Sequence, residues 1–178
     1  MGIFADDGTL QTGWTTGKNI SEQRRLLGIA LRAQKIRLCS RTGSDLTDDI
    51  FEVLESPKLD YVTDILVQTD ESGNYQALLL GGRETITDHI TFHIIYLCSI
   101  MPRGGVTLIN KVKSSITSDS KIQSITLEPL GNVVGYYEKQ GFRYMDKEDG
   151  DTMIWRPTSG AKRTRRKKLR KTRRKSKQ

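Results

Sequence analysis

A glycine-rich turn between two apolar segments is the feature of this sequence best suited to binding an anion. Residues 102 to 105, Pro-Arg-Gly-Gly, end a long apolar run, and residues 106 to 117 continue with apolar side chains at helical spacing. A strand, a glycine-rich turn and a helix in this order place free amide groups at a helix start, which binds phosphates in particular. The alternative interpretation is an ordinary strand-to-helix connection.

Two adjacent tyrosines, Tyr136 and Tyr137, lie on a short segment with helical spacing. Gly141 suits the left-handed residue that ends a helix. Residues 122 to 127 alternate like a strand before this segment, and residues 142 to 145 begin another strand after it. The sequence therefore predicts a strand–helix–strand unit whose helix carries both phenols. Packing of both rings in the core is the alternative to a chemical role.

Helical and extended patterns alternate in the first half of the chain. Residues 19 to 22 fit a capping box, and the apolar positions that follow predict an amphipathic helix of roughly 14 residues with Arg24 on its basic outer face. Residues 35 to 39 fit either an extension of this helix or a first strand, and the strand is favoured. A second helix is predicted over residues 46 to 54.

The middle and the end of the chain predict most of a sheet. Residues 61 to 67 and 75 to 80 form a hairpin around a polar turn, and Gly81-Gly82 ends it. Residues 89 to 100 carry apolar side chains on both faces, which is typical of a central strand covered on both sides. Residues 151 to 155 supply a last strand.

The sequence Tyr137-x-Lys139-x-Gly141-Phe142, with a strand on either side, resembles the C-terminal signature of the GNAT superfamily of N-acetyltransferases. The order of predicted elements over residues 35 to 156 agrees with that family. The resemblance implies an α/β (α+β) fold of the acyl-CoA N-acyltransferase type, with a mixed, mostly antiparallel sheet flanked by helices. We expect a flexible segment over residues 1–18, this domain over residues 19–157 and a disordered basic tail over residues 158–178.

The same resemblance implies acetyl-CoA as the co-substrate. In the family the end of the central strand pairs its backbone with the pantetheine arm, and the matching positions include Ile100 and Met101. The turn that follows cradles the pyrophosphate, and the matching residues are Arg103, Gly104, Gly105, Val106 and Thr107. The loop after Pro102 is shorter than the family's usual turn, and the match here is loose.

Catalytic roles follow from the resemblance in the same way. Tyr137 matches the tyrosine that lies near the thiol sulfur and acts as general acid to the departing thiolate, whereas Tyr136 falls on a position that is usually a core aliphatic residue. An amine that attacks a thioester must be neutral, and Glu128 and His93 are the candidate bases. The alternatives are that Glu128 is a solvated strand end, that His93 is a core side chain, and that the site has no dedicated base.

The charge of the chain is divided between a body and a tail. The 178 residues carry a net charge of +8, and residues 162 to 178 alone hold twelve Lys or Arg and no acid, which leaves about −4 for the rest. An acidic body suits a cationic amine acceptor, although charge alone does not choose one. The tail, residues 162 to 177, fits three uses: nuclear or nucleolar addressing, contacts with the phosphates of RNA or DNA, and solubilisation.

The cysteines and the apolar runs bear on the compartment. Cys39 and Cys98 are far apart in sequence and predict buried thiols in a reducing compartment, and no metal-ligand cluster is recognised. The longest apolar run, residues 90 to 101, is too short to cross a bilayer, and no secretory signal is recognised. We therefore expect an intracellular protein, cytoplasmic or nuclear, with no membrane partner.

Two functional hypotheses result. The first is an acetyl-CoA-dependent N-acetyltransferase that modifies a primary amine of a small molecule, a polyamine, or a protein lysine or N-terminus. The second is a catalytically inactive scaffold of the same fold that acts on nucleic acid through its basic tail. The tyrosine signature favours the enzyme, and the loosely matched phosphate turn favours the scaffold.

Overall fold

Seven strands form one sheet, and helices cover both of its faces. The computed structural model describes residues 2–17, 19–39, 46–56, 60–86, 89–118, 121–145 and 151–157. Its strands are β1 (Gly13–Thr16), β2 (Asp64–Thr69), β3 (Tyr75–Ile86), β4 (His89–Ser99), β5 (Ile122–Leu127), β6 (Arg143–Tyr144) and β7 (Met153–Trp155). Its helices are α1 (Ile20–Ala33), α2 (Thr47–Glu55), α3 (Gly104–Ser118) and α4 (Val134–Lys139), and a 3-10 turn, Gly131–Val133, leads into α4.

The strand order is β1-β2-β3-β4-β5-β7-β6. Every neighbouring pair is antiparallel except β4 and β5, which run parallel and are joined by α3. The predicted mixed, mostly antiparallel sheet flanked by helices is therefore confirmed. The expected basic tail lies outside the described residues.

The side chains of the strands point alternately to the two faces of the sheet, and this divides the core into two layers. Leu78 and Leu80 of β3 pack on one face with α1 and α2, whereas Ala77 and Leu79 pack on the other face with α3. Successive side chains of a strand point to opposite faces, so the apolar run of β3 supplies both layers. The central strands are thus buried on both sides, and the site must form at their ends.

A β-bulge in β4 coincides with the point where β4 and β5 separate. Leu80 pairs with Tyr96 and Gly81 with Ile94, which leaves Ile95 as the extra residue on β4. The parallel pairing of β4 with β5 ends at Ile94 and Leu127. The edge of β4 beyond Ile94 therefore has no paired strand on the β5 side.

The first strand is not where the sequence predicted it. Residues 35 to 39 form no strand, because Lys35 and Cys39 both adopt positive φ angles, 52° and 59°, which extended chains do not allow. The first strand is instead β1, within the segment that we expected to be a flexible lead-in. Ile3 and Leu10 of that segment are buried in the core beside α1 and α2.

The two cysteines are paired. Cys39 and Cys98 form a disulfide with their Cα atoms 4.9 Å apart, which joins the segment after α1 to β4. The prediction of two separate buried thiols was wrong, since the chain after α1 turns back along β4 rather than continuing as a strand. The argument from thiols for a reducing compartment fails with it.

Three local predictions also require correction. Arg24 is buried, and its guanidinium donates a hydrogen bond to the carbonyl of Ser56 at 3.2 Å instead of facing solvent. The Asn19 side chain makes no capping hydrogen bond. Gly81 and Gly82 do not end β3; they allow close packing, because a Cβ at Gly81 would lie 2.5 Å from the ring of Phe92.

Among the described residues, no helix is long and apolar enough to cross a membrane.

Candidate active site between the diverging strands

A cavity of about 580 Å³ lies where β4 and β5 diverge. It is bounded by the end of β4, the start of α3, the segment after β5 and the α4 helix that carries the two tyrosines. Its volume lies within the usual range for small-molecule sites. The topology therefore brings several separate elements to one cleft.

Most of the residues predicted for a site lie in or beside this cleft. Tyr137, Glu128, Met101, Arg103 and Gly105 line it. Ile100, Gly104, Val106 and Thr107 do not; Ile100 is exposed, and its backbone N–H donates to the carbonyl of Gln76 at 3.0 Å. The predicted set is thus largely gathered in one place.

Tyr137 lines the cleft as a partly buried side chain. Its ring packs edge-on against Phe142, with centroids 5.9 Å apart, and against Tyr136, with centroids 5.1 Å apart. Burial, and to a smaller extent the neighbouring Tyr136, raises the pKa of Tyr137 to about 12. The phenol therefore stays protonated throughout the physiological range and remains a hydrogen-bond donor.

Tyr136 packs against the core layer that contains α3, and it also lines the cleft. Its hydroxyl lies against the first turn of α3, because a Cβ added to Gly105 would stand 2.8 Å from the Tyr136 oxygen. Burial raises the pKa of Tyr136 as well. The two phenols are therefore neighbours in one cavity, and neither hydroxyl is hydrogen-bonded to another described residue.

The start of α3 carries free donors at and beside the cleft. Gly104 donates its amide to the carbonyl of Met101, and Thr107 donates to Arg103 at 3.0 Å. The amides of Gly105 and Val106 make no hydrogen bond to a described residue. Unpaired amides in the first turn carry partial positive charge, which favours an anion.

The turn before α3 is tightly built. Arg103 adopts a positive φ of 66°, and Ser99 donates its hydroxyl to the carbonyl of Met101 at 2.7 Å. A Cβ on Gly104 would lie 2.2 Å from the Ser99 hydroxyl oxygen, so glycine is required there. Gly104 thus acts by close packing and does not line the cavity.

The two candidate bases occupy different places. Glu128 is exposed at the end of β5 and lines the same cavity as Tyr137. His93 lines a second cavity, of about 440 Å³, and its Nδ1 shares a 3.1 Å hydrogen bond with the hydroxyl of Thr126. His93 is half-buried rather than enclosed in the core, but it does not line the cavity of Tyr137.

One wall of the cleft was not predicted from the sequence. It is formed by residues of α2, β4 and the segment after α1, among them Asp49, Leu46, Tyr96 and Cys39. Burial, then the charge of Asp49, raises the pKa of Tyr96. These residues come together only through long-range packing of α2 on the sheet, and no motif in the sequence marks them.

Lys113 fixes the end of the tyrosine helix. Its Nζ donates to the carbonyl of Gln140 and lies over the rings of Phe142 and Trp155, 5.1 and 5.0 Å from their centroids. A cation near the last carbonyls of a helix complements its dipole. Lys113 therefore links α3 to the end of α4 and to Trp155 of β7.

Comparison with known proteins identifies the fold. No family model matches the chain, and no curated protein matches it in sequence. The chain shares the fold of GNAT acetyltransferases. Two solved structures illustrate the likeness. GCN5 of Tetrahymena is 14% identical with a TM-score of 0.53, and 82% of this chain and 94% of that chain are covered. An acetyltransferase of the GNAT family from Staphylococcus aureus Mu50 is 12% identical with a TM-score of 0.52, and the match covers 81% of this chain and 98% of that chain.

Proposed function

We propose that this protein is an acetyl-CoA-dependent N-acetyltransferase that transfers an acetyl group to a primary amine of a small molecule, a polyamine, or a protein lysine or N-terminus. The observation that carries the proposal is the cleft where β4 and β5 diverge, since Tyr137, Glu128, Arg103 and Gly105 line it together.

Acetyl-CoA fits the residues that are present. The phosphates are placed at the start of α3, where Arg103 lines the cleft and the amides of Gly105 and Val106 are free. The pantetheine arm runs along the edge of β4 after Ile94, which has no partner strand on the β5 side. Ile100 and Met101 mark the end of this edge, so the thioester reaches the cavity near Tyr137.

The reaction needs two proton movements. The amine nitrogen attacks the thioester carbon; the C–N bond forms, the C–S bond breaks, and the electron pair of that bond leaves on sulfur. We assign Glu128 to accept the proton that the amine loses, directly or through a water. Tyr137 donates a hydrogen bond and then its proton to the departing thiolate, and regains a proton from solvent.

Glu128 is preferred over His93 as the base because a base must reach the substrate that the acid also reaches. Glu128 and Tyr137 line one cavity, whereas His93 lines the other. Glu128 and Asp49 also place two carboxylates on the cleft, which suits an acceptor that arrives as a cation.

Release of free coenzyme A thiol from acetyl-CoA, measured over a panel of amines, tests the proposal. We expect amine-dependent release by the wild type and at least tenfold slower release by Glu128→Gln, which keeps the shape of the side chain but cannot accept the proton. Glu138→Gln, on the exposed side of α4, is the matched control and should leave the rate unchanged. Release that no amine accelerates would contradict the proposal.

A further inference from the structure

The disulfide between Cys39 and Cys98 lies at the wall of the cleft. Cys39 lines the cleft together with Leu46 and Asp49, which belong to the start of α2. Cys98 lies near the end of β4, one residue before Ser99, whose hydroxyl holds the turn that precedes α3. The disulfide therefore joins the segment after α1 to the strand that borders the cleft.

The two cysteines are not held equally by the rest of the chain. Cys98 lies in the sheet, where β4 pairs with β3, and its carbonyl accepts a hydrogen bond from the hydroxyl of Tyr75 at 3.3 Å. Cys39 belongs to residues 35–39, which form neither helix nor strand. Lys35 and Cys39 have positive φ angles, which residues other than glycine keep only where surrounding contacts hold them. Loss of the disulfide therefore moves this segment more readily than the strand.

The segment is coupled to the start of α2. The amide of Leu38 donates a hydrogen bond to the hydroxyl of Thr47 at 2.9 Å, and the Leu38 side chain is completely buried. Asp49, two residues after Thr47, lines the cleft. A shift of the segment is therefore passed to the start of α2 and to the carboxylate that α2 places at the cleft.

We propose that the Cys39–Cys98 disulfide is a redox switch of the cleft wall: its reduction releases the start of α2 and weakens binding of the acceptor. The reductant is a dithiol. One of its thiolates attacks the sulfur of Cys39, the S–S bond breaks, and the electron pair leaves on the sulfur of Cys98, which takes up a proton. The second thiolate then displaces Cys39, which is protonated in turn, and the dithiol becomes a disulfide. The effect on the acceptor rests on the proposed function, whereas the motion of the wall does not.

Hydrogen exchange of the full chain, measured by NMR before and after reduction with dithiothreitol, tests the motion. The amide of Ile50 donates to the carbonyl of Leu46 in the oxidised form, as that of Leu38 does to Thr47. We expect both amides to exchange roughly tenfold faster or more after reduction, because the local opening becomes easier. The amides of β5 should keep their rates, and re-oxidation should restore the original values.

A variant that keeps the disulfide tests the coupling. Thr47→Val removes the acceptor of the Leu38 amide, and it should accelerate exchange at Ile50 in the oxidised protein. Thr12→Val is the matched control, because the Thr12 hydroxyl also accepts from a backbone amide at 2.9 Å, that of Thr69, and neither residue lines the cleft. Exchange at Ile50 in Thr12→Val should equal that of the wild type.

Steady-state kinetics test the consequence for the acceptor. The acetylated amine is measured by mass spectrometry, because the thiols of the reductant would obscure the release of coenzyme A. KM for the amine should rise roughly fivefold or more on reduction, while KM for acetyl-CoA stays nearly unchanged. The double variant Cys39→Ser with Cys98→Ser should show the higher amine KM with and without reductant.

Equal exchange at Leu38 and Ile50 in the two redox forms, or an equal amine KM, would overturn this inference alone. Faster exchange that extends evenly to β5 would show general destabilisation and would overturn it as well. A wild type without amine-dependent turnover in either form would overturn the proposed function, and the exchange rates would still decide whether the disulfide controls the wall.

Discussion

At the scale of the residue, burial decides how the Tyr137 hydroxyl can take part in the reaction. Tyr137 packs between Phe142 and Tyr136, and its raised pKa, about 12, keeps the hydroxyl protonated. A phenol of that pKa is a weaker acid than an ordinary thiol of pKa about 8.5, so its hydrogen bond to the thiolate matters more than early proton transfer. Tyr137 thus suits stabilisation of a leaving group.

Tyr137→Phe should lower kcat by roughly tenfold to a thousandfold, the lower part of this range overlapping the usual contribution of general acid catalysis. The melting temperature should stay nearly unchanged, because the substitution removes one hydroxyl that has no described hydrogen-bond partner. Coenzyme A release and calorimetric melts measure the two effects. Full activity in this variant would mean that another group protonates the thiolate.

Asp64 carries the most fully satisfied charge among the described residues. Its side chain is completely buried and accepts hydrogen bonds from Trp14 Nε1 at 2.9 Å, Thr63 Oγ1 at 2.8 Å, and Arg83 Nε and Nη2 at 3.1 and 3.0 Å. Asp64→Ala should cost about 3 to 5 kcal/mol in the free energy of unfolding, because Arg83 and Trp14 lose their acceptor.

The control for Asp64 is the exposed ion pair of Glu22 with Arg25 on α1. Arg25 Nη2 and Glu22 Oε1 lie 2.8 Å apart, but both side chains are more than half exposed. Glu22→Ala should cost less than about 1 kcal/mol. Urea unfolding of both variants provides the comparison, and similar losses would show that the Asp64 network contributes little.

At the scale of the element, local patterns were predicted well and long-range partners were not. The limits of β5 follow from the alternation of apolar and polar residues along it. Tyr137 was assigned to the site through its resemblance to the family signature, and Glu128 through its place at the end of β5. The wall with Asp49 and Tyr96 could not be assigned from the sequence, since α2 reaches the cleft only by packing on the sheet. β1 was missed because Gly13-Trp14-Thr15-Thr16 is extended only through its pairing with β2.

The disulfide of Cys39 with Cys98 should stabilise the segment after α1 against β4. It closes a loop of 59 residues, for which the chain-entropy model gives roughly 4 kcal/mol. Thermal melts with and without reductant should differ accordingly, and the oxidised protein should show no thiol to Ellman's reagent under denaturing conditions. Two titratable thiols in the unreduced protein, with no effect of reductant on the melt, would contradict the pairing.

At the scale of the whole molecule, the charge is separated along the chain. The last seventeen residues hold twelve Lys or Arg, and the rest of the chain is left with about −4. We expect an acidic body to favour a cationic acceptor, and we expect the basic tail to favour an anionic partner. The tail therefore has to be tested apart from catalysis.

Truncation after Pro157 should leave a cooperative melt and an unchanged kcat. Binding to RNA or DNA should be lost with the tail, and in the full chain it should weaken steeply as salt is raised, because phosphate contacts release counterions. Fluorescence anisotropy with a labelled oligonucleotide at several salt concentrations measures this. Equal binding with and without the tail would remove its proposed role.

The central claim is that the cleft where β4 and β5 diverge holds acetyl-CoA with its phosphates at the start of α3. Titration calorimetry of the wild type, of Gly105→Asp and of Gly135→Asp tests it most directly. Gly135 is exposed on α4, and a Cβ there meets no atom within 4 Å, so it controls for the added charge. We predict a wild-type Kd below ~100 μM, in the range of enzyme substrates, with Gly105→Asp at least tenfold weaker and Gly135→Asp unchanged. No binding by the folded wild type at near-millimolar acetyl-CoA would contradict the account.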